Sequence, residues 1–68
     1  MEDKKELIEK RQKEYFHELV DRTNLILNYF QISIVEHEAI ANDLEAQEKC
    51  EAICEKIGDL YQFFGQRL

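Results

Sequence analysis

The sequence predicts an all-α fold: an antiparallel helical hairpin with a long first helix and a shorter second helix, dimerising into a four-helix bundle. Three observations lead there. The 68 residues include no proline and two glycines, Gly58 and Gly65. Charged residues make up 35% of the chain, and they are largely Glu, Lys and Arg, which favour long helices over sheet. Strand signals are nearly missing, with no Asn-Gly or Asp-Gly turn and no sustained alternation of polar and apolar residues. The length allows one small domain, near the size at which a single core barely offsets chain entropy. Chains this short take extra support from disulfides, a metal or oligomerisation.

Taken in order, residues 1–14 form a polar helical extension. Glu and Lys recur at four-residue spacing, as in Glu6–Lys10 and Glu9–Lys13, and from Glu2 to Glu14 only Leu7 and Ile8 are apolar. Such a helix frays or projects unless something packs on Leu7 and Ile8.

Residues 15–41 form the core of the first helix. At about 100° per residue, Phe16, Leu19, Val20, Thr23, Leu27, Phe30, Ile34, His37, Ala41 and Leu44 line one face, and Glu14, His17, Asp21, Asn24 and Asn28 oppose it. The longest apolar run, Leu25 to Val35, lies within this helix. There Leu25, Ile26, Tyr29, Ile32 and Ile40 fall on the flank and back, giving the helix a second apolar face. A helix apolar around most of its circumference is buried between layers. The outer residues Leu25, Tyr29, Ile32 and Ile40 are therefore expected to form an interface, together with Phe63 and Phe16.

Two capping patterns compete for the next helix start. Ser33-Ile-Val-Glu36 would break the helix inside the apolar run and expose backbone polar groups where water is scarce. Asn42-Asp-Leu-Glu45 falls where the stripe must restart, so the turn is expected at Ala41–Asp43. The second helix, residues 43–65, has one stripe: Ala46, Cys50, Ile53, Cys54, Ile57, Leu60, Tyr61 and Phe64. Cys50, Ile57 and Phe64 repeat every seven residues, as do Ile53 and Leu60, like the seam of a coiled coil. Gly65 reads as the residue just past the helix end, and Gly58 as a site of close helix approach. This second helix covers the first from about Leu19 onward, leaving Phe16, Tyr15, Ile8 and Leu7 exposed or covered by a second subunit.

Charge excludes some functions. The net charge is −6. Up to Arg22 there are seven acids against six bases, but from Thr23 onward eight acids face three bases. A duplex-binding protein needs a basic stripe, so nucleic-acid binding is disfavoured. The first ten residues lack the apolar core of a signal peptide, and Leu25–Val35 is far short of the ~20 residues that span a bilayer. A soluble, cytoplasmic protein is expected, with both cysteines reduced.

Candidate chemistry is sparse. Cys50 and Cys54 lie one helical turn apart, and His37 would approach Cys50 across a turn at Asn42. A zinc site needs thiolates, a fourth ligand and supporting hydrogen bonds, whereas two small apolar thiols at the centre of a stripe are ordinary core residues. No metal or cofactor is expected. Glu14-Tyr-Phe-His17 matches the Glu-x-x-His of di-iron bundles, but it lies opposite the Phe16–Leu27 face and reads as solvated. No nucleophile–base constellation, phosphate loop or facing carboxylate pair is present, so no enzymatic activity is expected.

The stretch Ile53-Cys-Glu-Lys-Ile57-Gly-Asp59 resembles part of the second helix of Rop-like plasmid copy-control proteins, over about a tenth of the chain. That resemblance implies a hairpin dimerising as a four-helix bundle, with paired RNA loops bound on a basic first-helix surface. Here the basic residues stay near residues 4–13 and are balanced by acids. The likeness therefore supports architecture rather than RNA binding. The expected function is that of a small acidic protein–protein interaction module, a regulator, inhibitor or co-chaperone type. It would pair with itself and dock on a larger protein by helix-face burial.

Overall fold

The computed structural model describes residues 2–68, with side chains described for Lys4 and from Leu7 onward. The Glu6–Lys10 pairing therefore lies outside the described residues. About 90% of the chain is helical, and no strand occurs among the described residues. The fold is all-α.

Helix α1 runs from Glu2 to Phe30. It ends where β-branched residues become dense: Ile32, Ile34 and Val35 lose side-chain freedom in a helix. Gln31–Val35 continues as a π-helical turn, closed by Glu36 N–H donating to the Gln31 carbonyl at 2.9 Å. Ser33 is not a helix cap here. Its hydroxyl donates back to the Tyr29 carbonyl, a competition for backbone acceptors that bends helices. The chain turns at Glu36–His37, a short helix α2 covers Glu38–Ala41, and α3 covers Leu44–Gln66.

The single first helix expected through Ala41 is thus divided: the upstream break falls at Glu36–His37, three residues past Ser33, and a second break follows at Asn42–Asp43. The second break falls where expected, but its cap is Asp43 and not Asn42: the Asp43 carboxylate accepts Ala46 N–H at 3.0 Å. His37 caps α2 through Nδ1, which accepts Ala39 N–H at 3.0 Å. Gln47 ties α2 to α3. Its side-chain amide donates to the Ile40 and Ala41 carbonyls at 2.9 and 3.0 Å; the Ile40 carbonyl also accepts Asp43 N–H at 3.1 Å, as acceptors at a helix C-terminus need partners from outside the helix.

From this corner α3 doubles back along α1. Cys50 and Thr23, each 6% exposed, are the two buried residues of the described chain. Phe16 and Phe64 meet at the far end, with ring centroids 6.0 Å apart. The contact thus reaches further than the expected limit near Leu19. Phe16 is half-buried against Phe64 rather than left beyond the end of the second helix. Thr23 is buried at no unsatisfied cost, because its hydroxyl donates to the Leu19 carbonyl at 2.6 Å.

The inner face of α1 follows the helical period through Phe16, Leu19, Val20, Thr23, Leu27 and Phe30, all buried or half-buried. Beyond Phe30 the expected inner residues Ile34, His37, Ala41 and Leu44 are exposed. The π turn breaks the helical period and the chain then turns at Glu36–His37, so Ser33, Val35 and Ile40 turn inward instead. On α3 the row Cys50, Ile57 and Phe64 faces α1, whereas Ile53 and Leu60 stay nearly half exposed. The glycines also differ from expectation. Gly65 lies inside α3 without a positive φ, and a Cβ on Gly58 would meet nothing within 4 Å.

Candidate interaction surface

Helical geometry places six exposed apolar residues, Ile8, Tyr15, Ile26, Tyr29, Ile53 and Leu60, on one side of the α1–α3 pair. With Thr23 as the inward direction of α1, Ile8, Tyr15, Ile26 and Tyr29 lie on one flank, about 60–120° away. Lys13, Asn24 and Asn28 occupy the other flank. With Cys50 as the inward direction of α3, Ile53 and Leu60 lie about 60–80° to one side, and Glu51 and Gln62 to the other. Because the helices run antiparallel, the two apolar flanks share one side of the molecule. The opposite side is polar and acidic apart from Leu44, which shares the direction of Gln62 and is 71% exposed.

The exposures are large for apolar residues: Tyr15 and Ile26 at 59%, Tyr29 at 74%, Ile53 at 46% and Leu60 at 45%. The face is continued at one end by Phe63, which packs edge-on to Phe64 and lies under the Arg67 guanidinium, 4.8 Å from the ring centroid. Arg22 interrupts the α1 flank and pairs with Glu18 at 3.6 Å. Both charges are well solvated, so this pair contributes little to stability.

Of the interface residues expected from sequence, Leu25, Tyr29 and Ile32 are exposed at 66–74% and Phe63 is 46% exposed. Ile40 and Phe16 are half-buried within the chain itself. Leu25 points further to the back than Tyr29 does, and Ile32 lies in the π turn, where the regular helical period no longer holds. The residues that complete the surface, Tyr15, Ile26, Ile53 and Leu60, were legible as apolar. The signal that they share one side is the antiparallel return of α3, which the linear pattern does not carry.

The other candidates are not brought together. Cys50 is buried and Cys54 half-buried, both as free thiols, and the His37 Nδ1 is engaged in capping. Among the described residues no three His, Cys, Asp or Glu side chains cluster as metal ligands. Glu14 and His17 are exposed. Surface depressions are furrows: one is lined by Lys4, Leu7, Ile8 and Arg11, all from α1. No helix among the described residues is long and apolar enough to cross a membrane.

Compared with known proteins, the chain matches no family model, no curated protein and no solved structure. The likeness to Rop-like proteins therefore rests on its seven residues, 53–59, alone.

Proposed function

We propose that this chain is a small acidic interaction module that works by burying its apolar helix face, first against a second copy of itself in a four-helix bundle, and that it binds rather than catalyses. One observation carries the reading. The described chain buries a single hydrophobic residue, Cys50, while fourteen large hydrophobic residues are at least 41% exposed.

Surface area supports it. A compact monomer of this mass exposes about 4,500 Å², whereas this chain exposes 6059 Å². The excess is about 1,500 Å², and a stable interface takes about 800 Å² from each partner. An exposed apolar surface of this extent marks an interaction site in a folded protein. The acidic opposite side, with Glu51 and Glu55, stays free in such a bundle and suits docking on a basic patch of a larger protein.

Sedimentation velocity tests the reading. A dimer is expected at micromolar concentration, and it should dissociate in an Ile26→Asp, Ile53→Asp double variant that keeps its helical circular dichroism. A monomeric wild-type protein at about 100 μM, weaker than any functional self-association of this size, would sink it.

A further inference from the structure

We infer that the two copies pack antiparallel to each other about a two-fold axis crossing α1 near Val20, so that the Lys4–Arg11 stretch of one copy lies against the acidic corner of the other. This rests on the self-association proposed above and fixes its geometry.

The first argument is the position of the apolar surface. The molecule measures 60 Å along its long axis, and exposed apolar residues run along α1 and the π turn from Ile8 to Ile32. In an isologous dimer the same surface meets itself. Antiparallel superposition covers most of it when the axis passes through its midpoint, which is residue 20. Ile8 of one copy then approaches Ile32 and Ile34 of the second copy. Both ends of the surface are otherwise unpartnered, with Ile8 59%, Ile32 69% and Ile34 44% exposed.

The second argument is charge. Residues 36–51, around the corner, carry six acids and one base, whereas residues 2–14 balance at five of each. Parallel packing would set one acidic corner beside another, and like charges in such juxtaposition oppose association. Antiparallel packing instead sets the corner beside the balanced stretch, where Lys4 and Arg11 border the furrow over Ile8. An axis at residue 20 also relates Glu18 of one copy to Arg22 of the other, since the two are equidistant from it. The exposed Glu18–Arg22 pair is then doubled into a ring of four alternating charges. The same axis places Lys4 opposite Glu36.

Photo-cross-linking with p-benzoylphenylalanine in place of Ile8 tests the arrangement. The expected product is a covalent dimer cross-linked to residues 31–45 of the second copy, identified by peptide mapping. Cross-links to residues 2–15 would overturn the inference in favour of parallel packing. A sedimenting dimer that yields no cross-link would also overturn it, because the stretch around Ile8 would then lie outside the interface. Both results would leave self-association standing, whereas a monomer would remove both. A charge exchange adds an independent measure. Lys4→Glu should weaken the dimer roughly threefold to thirtyfold at low salt, since the pair occurs twice. Adding Glu36→Lys should restore it. Loss without restoration counts against the Lys4–Glu36 juxtaposition and the axis position that requires it.

Discussion

Tyr29 and Phe30 are sequence neighbours with opposite duties. Tyr29 is 74% exposed on the apolar flank, and Phe30 is half-buried towards α3. Tyr29→Glu should therefore abolish association and leave the helical circular dichroism largely intact. Phe30→Ala should destabilise the fold itself by about 2–3 kcal/mol, less than the 3–5 kcal/mol of a fully buried ring. Urea titration with sedimentation in parallel separates the two, and equal behaviour would refute the inner and outer division. Gly58 gives a test of opposite sign. Nothing within 4 Å would meet an added Cβ there, so Gly58→Ala should stabilise α3 by about 0.5–1 kcal/mol. A loss of stability in urea would mean that another chain approaches α3 on that side.

At the scale of elements, the caps at the corner decide where α3 begins. Asp43→Ala should cost about 1 kcal/mol through the lost bond to Ala46 N–H. Gln47→Ala should cost a similar amount, about 1 kcal/mol, because the Ala41 carbonyl loses its side-chain donor and the Ile40 carbonyl keeps only backbone donors such as Asp43 N–H. Asn42→Ala should stay within about 0.5 kcal/mol, and chemical denaturation of the three variants checks the order. The sequence makes the helices plain because Phe16 to Phe30 keep one period and Cys50, Ile57 and Phe64 keep another. It misplaces Ile34 because the π turn breaks the helical period, and His37, Ala41 and Leu44 because they lie at or beyond the turns at Glu36–His37 and Asn42–Asp43. Ser33 amid Ile32, Ile34 and Val35 is the local cause. As a linear pattern, however, Ser33-x-x-Glu36 resembles a helix start. The candidate surface was half legible: Leu25, Tyr29 and Ile32 stand out on one helix, but Ile53 and Leu60 join them only through the tertiary return of α3.

For the whole molecule, shape and stability are one question. The radius of gyration is 16.9 Å, whereas a compact chain of this length has about 11 Å. Two helices alone offer each other one narrow seam, and here that seam buries Cys50 and Thr23. The remaining apolar area exerts no stabilising effect until a second chain covers it, so folding and association should be linked. Linked folding makes the midpoint of thermal unfolding depend on protein concentration. Over a hundredfold rise in concentration the dimer's Tm should increase by about 10 °C, from the unfolding entropy of two chains of this size. Ile26→Asp should lower the Tm and flatten its dependence, because Ile26 is 59% exposed in the single chain and its loss is felt chiefly through the partner. Differential scanning calorimetry across that range gives the answer directly: a wild-type Tm that does not move would mean the α1–α3 seam sustains the fold unaided, and the exposed face would then need an explanation other than self-association.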